Sequence, residues 1–460
     1  MTDYRAISWW LESCGDDLTP RPPLSGSIDV DIAIMGAGFS GLWTAWYLKQ
    51  RDPSLRIAIV EREIAGFGAS GRNGAWCTSE FPTGPGAIAR KYGDDTARAT
   101  VTAMRATVRE IGEITSANGI ACDWADGGQL IIARGAHQRD AVEHEYAELD
   151  RLGLAEGVEL LSAGETLRRV RITDLTRALF SPFTAVIHPG KLVRGMAHLV
   201  EKHGVTIYEQ TPVSGIVTGG RPALETERGT VRAKTVVLCA EAYLSQMPGY
   251  RRAVMPVYSL ITLTEPLSEA EWAEIGWAGR ECIASCRFTV DYLSRTADGR
   301  ILFGGRGAPY RYGSRIAPDM DRHAGTHAML QDSLRAWFPR LKDVRFTHTW
   351  GGPLGWSRDF IPTVAYDPAR GVALAHGYTG NGVATTNLAA RTLTDLILGE
   401  KSNLIDLPHA NHRTRQWEPE PFRFLGVRYM QHAFVNLDRT AERTGQAPSG
   451  KSLAERMTAH

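Results

Sequence analysis

The chain carries no excess of charge of either sign. Its 52 Lys and Arg stand against 51 Asp and Glu, for a net charge of +1 and a pI near 7.7. That balance argues for neither nucleic acid nor a membrane as partner. No apolar run reaches membrane-spanning length. Residues 1–17 have neither a basic nor an apolar leader region, so no signal peptide is expected and a cytoplasmic location is the reading. Cysteine is scarce and unpatterned. Cys14, Cys77, Cys122, Cys239, Cys282 and Cys286 form no CxxC framework and no zinc spacing, so reduced, buried thiols are expected and no metal. Internal repeats and low-complexity tracts are also missing, which leaves an ordinary globular chain. At 460 residues it can bury a large core in two domains.

What is present starts at Val30. The run Val30-Asp31-Ile32-Ala33-Ile34-Met35 reads as a buried parallel strand, and Gly36-Ala37-Gly38-Phe39-Ser40-Gly41 turns it into a helix. In G-x-G-x-x-G, the first glycine makes the turn, the second admits a pyrophosphate and the third lets helix and strand touch. The helix N-terminus offers N–H groups and partial positive charge to the phosphates. A second strand, Arg56–Val60, ends at Glu61, about twenty residues past Gly41, where an acid holds ribose hydroxyls and disfavours a 2′-phosphate. FAD and NAD both satisfy this unit.

The rest of the chain alternates. A second glycine-rich loop, Gly66–Trp76, suits a backbone pressed against a ligand. Helices are expected over 96–118, 137–153 and 189–202, the last opened by His188-Pro189. A strand or hairpin is expected over 122–133 around Gly127-Gly128, and strands at 185–187, 205–208 and 235–240. Residues 250–345 read as an antiparallel module with strands at 257–264, 287–293 and 301–304 and one helix near 327–338. The stretch 380–385 opens a helix over 386–398. A helix over 417–441 is expected to lie outside the core, followed by a fraying polar tail.

In combination the motifs resemble those of the D-amino-acid oxidase superfamily of FAD-dependent amine oxidoreductases. They are most similar to its gamma-glutamylputrescine-oxidase-like and glycine/sarcosine-oxidase-like branches. The residues that carry the likeness are Gly36-x-Gly38-x-x-Gly41, Glu61, Gly68-Ala69-Ser70-Gly71-Arg72-Asn73-Gly74, His188-Pro189-Gly190-Lys191-Leu192, Val237–Ala240 and Gly377-Tyr378-Thr379-Gly380-Asn381-Gly382. The resemblance implies an α/β (mixed α+β) fold: a Rossmann-like FAD-binding domain with an inserted mixed or antiparallel β-sheet substrate domain. The implied division is an N-terminal extension (1–27), FAD-binding segments 28–95, 184–248 and 346–400, a mostly substrate-side segment 96–183, a substrate domain 249–345 and a C-terminal helical extension 401–460. It implies FAD contacts from Arg62, Gly68, Ala69, Ser70, Arg72, Asn73 and Gly74. It also implies contacts from Ala75, Trp76, Val213, Ala240, Gly380, Asn381, Gly382 and Val383. Relatives often have glycine where Ala75 stands. No cysteine follows Cys286, so noncovalent FAD is expected, with Cys77 the one cysteine near the glycine loop. No lysine stands between Lys234 and Lys342, where some members use one to activate oxygen.

Amine dehydrogenation asks the protein chiefly to orient a C–H bond beside an uncharged nitrogen against the flavin. No Ser-His-Asp set is expected. Substrate-side candidates are Tyr258, Arg306, Trp350 and Tyr378, with Arg287 and Tyr292 behind them. Tyr258, Trp350 and Tyr378 have packed-core readings beside the functional ones, and Arg306 is either an anion clamp or an interdomain ion pair. His188 is read as a helix cap. The expected reaction oxidises an amine or amino acid to an imine that hydrolyses to a carbonyl, with oxygen or another acceptor reoxidising the flavin. The competing readings are a 2-hydroxy-acid dehydrogenase and a flavin-binding protein without turnover.

Overall fold

The computed structural model describes residues 2–458. Two sheets dominate it. The first has six strands in the order Thr363–Asp367, Val372–His376, Thr235–Leu238, Ile32–Met35, Ile57–Val60, Thr206–Tyr208. All neighbours are parallel except the first pair, an antiparallel hairpin. The central strands are buried at every residue, as a parallel sheet covered on both faces requires. Alternation assigns the faces. Ile32, Ile34, Ile57, Ile59 and Val237 join the core under the helices Phe39–Arg51, Pro189–Lys202 and Gly382–Leu398. Ala33, Met35, Ala58, Val60, Val236 and Leu238 face a four-stranded sheet that supplies Leu224 and Val231.

The second sheet has eight strands in the order Phe346–Trp356, Met255–Thr264, Ile301–Arg306, Asp291–Arg295, Cys282–Ser285, Gln129–Arg134, Leu175–Ser181, Glu159–Ser162. Neighbours are antiparallel except Cys282–Ser285 beside Gln129–Arg134, so the sheet is mixed. Helix Ala324–Trp337 covers one face through Leu330, Leu334 and Trp337.

Several expected elements differ. The strand Phe346–Trp356 pairs along Met255–Thr264 in the eight-stranded sheet, whereas the sequence division put 346–400 with the nucleotide-binding segments. The expected strand over 287–293 starts only at Asp291 and runs to Arg295; residues 287–290 form the turn from Cys282–Ser285, with Val290 at φ +57. No hairpin forms at Gly127-Gly128. Ala125 makes an isolated bridge to Val186, and the strand begins at Gln129. The C-terminal helix runs Phe422–Thr444, because Pro419 and Pro421 interrupt the earlier part of the expected span. It is not detached: Phe424 and Val427 pack against Met255, Tyr310 and Trp417, and buried Asp438 accepts the Phe288 and Thr289 N–H groups. The tail expected to fray holds a short helix, Leu453–Thr458; residues 459–460 lie outside the described residues. No helix among the described residues is long and apolar enough to cross a membrane.

The N-terminal segment is a strap over the second glycine loop. Ser8 Oγ donates to Gly71 O, and Trp10 Nε1 donates to Asn73 O at 2.8 Å. Its base is pinned by Glu209, which is fully buried. That carboxylate accepts the Arg21 N–H at 2.7 Å, Arg21 Nη1 at 2.9 Å and the Ala65 N–H at 2.7 Å, with Arg194 Nη1 at 3.6 Å. Glu209→Ala removes three buried hydrogen bonds while Arg21 keeps Glu201 and Arg194 keeps Asp16, an expected cost of about 2–3 kcal/mol in denaturant unfolding. A loss under about 1 kcal/mol would show the cluster to be incidental.

Candidate active site

The strand Ile32–Met35 delivers the chain to Gly36, at φ +104, a backbone conformation that favours glycine. A Cβ at Gly41 would sit 2.1 Å from Gly36 O, so helix and turn touch there as backbone. A Cβ at Gly38 would meet only Ser70 Oγ, at 3.0 Å. That hydroxyl accepts the Phe39 N–H at 2.9 Å and so ties the first glycine turn to the second. Glu61, at the end of Ile57–Val60, accepts the Ala37 and Glu63 N–H groups at 2.9 Å each. Burial raises this carboxyl against the opposing pull of those two donors.

These groups wall a cleft of about 1350 Å³ including its open mouth. Gly36, Gly38, Phe39, Ser40, Glu61 and Arg62 line its nucleotide end, with Val213 and Ala240 beside them. Gly68, Ala69, Ser70 and Asn73 line it from the second loop. Tyr378, Gly380, Gly382 and Val383 line it from the start of helix Gly382–Leu398. Tyr378 is 2% exposed and its hydroxyl hydrogen-bonds Ser40 at 2.9 Å, tying this motif to the Rossmann turn. A glycine cradle at one end, an acid beside it and a helix N-terminus at the other fit an extended adenine dinucleotide. Ala37 and Gly41 stand behind the wall: one donates to Glu61, the other packs the helix.

A second cavity, of about 910 Å³, adjoins the first and shares Ala69, Asn73, Leu354, Gly380 and Val383 with it. Arg72, Gly74, Trp76, Asn381 and Arg306 line it. Arg72 is held in place, with Nε donating to Phe67 O and Nη1 to Asp321, both at 2.7 Å. Gly74 admits the Tyr292 ring, 2.4 Å from where a Cβ would stand. The Tyr292 hydroxyl meets Ser259 at 2.9 Å, and burial pushes it up to about 12. Ala75 lies behind the wall at φ +70, the conformation that glycine adopts without strain.

Other candidates lie elsewhere. Tyr258 is packed under helix Ala324–Trp337; its hydroxyl accepts the Ala317 N–H at 3.0 Å and lines neither cavity. Trp350 is core as well: its indole donates to Arg72 O at 3.0 Å and Trp10 covers its ring. Arg287 pairs with Asp438 and Glu442 of the C-terminal helix. His188 caps its helix, Nδ1 accepting the Lys191 N–H at 3.1 Å, and burial pushes it down to about 4. Cys77 is buried outside both cavities, while Cys239 lines the cleft.

The sequence reading missed Glu241. Its Oε1 accepts the Gly377 and Tyr378 N–H groups at 3.1 Å each, and burial raises it. It thereby fixes the loop that leads into Gly380. An acid three residues after the apolar strand Thr235–Leu238 is a weaker signal of the kind that Glu61 gives. Glu80, which lines the second cavity and accepts Gln129 Nε2 at 2.7 Å, was missed too.

Because only Ser70 Oγ opposes a side chain at Gly38, Gly38→Val is expected to fold and to purify with under about a tenth of the wild-type flavin, its branched side chain occupying the cradle. Full flavin content in the folded variant, measured by absorbance, would contradict this assignment.

A model of the family described as DAO, FAD dependent oxidoreductase, matches residues 31–396. Gamma-glutamylputrescine oxidoreductase of Escherichia coli K12 is 30% identical over 439 residues, spanning 93% of this chain and 98% of its own. The sarcosine oxidase beta subunit of Rhodobacter capsulatus is 21% identical across 80% of this chain and 86% of its own. The solved glycine oxidase of Geobacillus kaustophilus shares the fold, with a TM-score of 0.71 at 21% identity over 84% of this chain and 99% of its own. With the matched span running from the first strand of the six-stranded sheet into helix Gly382–Leu398, the chain belongs to the DAO family of FAD-dependent oxidoreductases.

Proposed function

We propose that this enzyme oxidises the C–N bond of a carboxylate-bearing amine or amino acid to an imine, which water hydrolyses to a carbonyl compound. Arg306 carries the reading. Its guanidinium lines the second cavity and, among the described residues, makes no ion pair within 4.0 Å. Among the described residues its one hydrogen bond runs from Nη2 to Thr379 O at 3.3 Å, and it lies 4.6 Å over the Trp356 ring. Burial lowers it to about 10, which leaves it charged at neutral pH. An arginine enclosed without an acid is a ready partner for a planar carboxylate. The names of the relatives agree: each describes an enzyme of an amine or amino acid.

FAD, when bound, supplies the acceptor for the two electrons removed from the substrate. The protein's own part is placement. Ala69, Asn73, Gly380 and Val383 belong to both cavities and so border the point where cofactor and substrate would meet. The N-terminus of helix Gly382–Leu398 opens at that border and favours negative charge there. FAD is held noncovalently in this reading. Cys239 lines the cleft, but burial pushes its thiol up to about 12, so it presents no thiolate at neutral pH. Oxygen or another acceptor completes turnover.

Arg306→Ala is expected to lower kcat/KM for amine carboxylates by about tenfold to hundredfold, mainly through KM, as loss of a charge-assisted contact does. Neutral amines of the same size should change by no more than about twofold. Equal losses for both would assign Arg306 to structure.

A further inference from the structure

One face of the eight-stranded sheet floors the second cavity, and the strand register sets that floor residue by residue. Tyr292 pairs with Gly304 on one side and with Ala284 on the other, and Ala284 pairs with Ile131. Paired residues share a face, so these four form one row across the sheet. Arg306 stands two residues along from Gly304 on the same face, cross-strand from Ser259. The opposite face is core: Ile283, Leu293 and Phe303 belong to the cluster under helix Ala324–Trp337.

The row has a dip in it. The Tyr292 ring lies across Gly304, 2.1 Å from where a Cβ would stand, and its hydroxyl reaches Ser259. Ile131 closes the far side, packed against the cluster that holds Val142 and Leu179. Between these two large side chains Ala284 presents a single methyl group. It lines the cavity and is half-buried. On the same strand and face, Cys282 is packed with Leu302, and Cys286 joins the cluster under helix Arg139–Arg151. Trp76 lines the cavity from strand Trp76–Thr78, its indole fixed by a hydrogen bond to Leu293 O at 3.1 Å. The result is an apolar trough over Ala284, walled by Tyr292, Trp76 and Ile131. At about 4.8 Å per strand, Ala284 lies about 10 Å across the sheet from the strand of Arg306, and Ile131 about 14 Å. The cofactor side is the other way. Leu354 lines both cavities and stands on the far side of Arg306 in the strand order, and Arg306 Nη2 is 3.2 Å from where a Cβ at Gly380 would be. An anion on Arg306 thus has the cofactor cleft on one side and the trough on the other.

We propose that the trough takes an apolar arm of the substrate, and that Ala284 sets the length and width of the arm that fits. The substrate class is an amine carboxylate bearing an aliphatic or aromatic chain. Its carboxylate lies on Arg306, its C–N bond faces the cofactor cleft and its chain runs over Ala284. This rests on the second cavity being the substrate pocket of the proposed function.

The test uses straight-chain carboxylates from acetate to octanoate, which carry no nitrogen to oxidise. Binding to the holoenzyme is read from perturbation of the flavin spectrum. Affinity should rise by about twofold to fourfold per added methylene, the effect of burying one CH₂ group, until the trough is full. Ala284→Val and Ala284→Phe narrow the trough in two steps, and valine suits a strand. The ratio of octanoate to acetate affinity should fall by about threefold or more in the first and about tenfold or more in the second. The valine variant decides alone if the phenylalanine variant does not hold flavin. Affinity independent of chain length in wild type, no binding of any carboxylate, or a chain-length gain that the variants retain would overturn the proposal. Reduction of the flavin by amines is read separately. Amines that reduce the flavin while carboxylate binding ignores chain length refute the trough alone. Chain-length-dependent binding that the variants lose, with no amine reducing the flavin, refutes the proposed function and leaves the trough standing.

Discussion

The cleft depends on one backbone contact. Where Gly41 passes Gly36 O, no side chain fits, and the helix Phe39–Arg51 lies as close to the strand turn as two backbones allow. Any residue larger than glycine at position 41 would push the helix outward. The Phe39 N–H would then leave Ser70 Oγ, and Ser40 would leave the Tyr378 hydroxyl. Those two hydrogen bonds join the Rossmann turn to the second glycine loop and to the loop before helix Gly382–Leu398. Three segments far apart in sequence are thus brought around one ligand path by a contact with no side chain in it.

Around that contact the chain divides its work between two sheets. The central strands of the parallel sheet are buried on both faces, and the segments that follow two of them bring Glu61 and Glu241 to the cleft. The larger mixed sheet offers one face to helix Ala324–Trp337 and the other to the second cavity. Between them runs the glycine-rich loop Gly66–Trp76, braced from within by Arg72 on Phe67 O and Asn73 on Ala69 O and Ser70 O. The N-terminal strap adds to this from outside: Ser8 and Trp10 bond its backbone, and buried Glu209 anchors the strap. A placement that the reaction needs to be accurate is met by fixing the loop both from within and from outside.

Much of the nucleotide site was legible in the sequence because its chemistry is local. Glycines, the strand before them and the acid after them lie within one βαβ unit, and the helix Pro189–Lys202 was marked by its own cap and proline. The substrate side was less legible because it depends on register. Tyr258 and Ser259 are neighbours on one strand, yet alternation sends Tyr258 to the core under Ala324–Trp337 and Ser259 to the cavity. Trp350 pairs with Ile261, in step with Ser259, but Trp10 covers it. That docking joins residues hundreds of positions apart, and no local pattern encodes it. Arg306 shows the reverse case: cross-strand from Ser259, it faces the cavity with its charge unpaired.

The central claim is that a carboxylate-bearing amine, held by Arg306, is oxidised at its C–N bond. Its most direct test is an anaerobic titration of the purified holoenzyme with amines, amino acids and 2-hydroxy acids while the visible flavin band is followed. Bleaching by amine carboxylates, with 2-hydroxy acids leaving the band intact, is the expected result. Bleaching by 2-hydroxy acids alone, or by no amine of any class, would contradict the account.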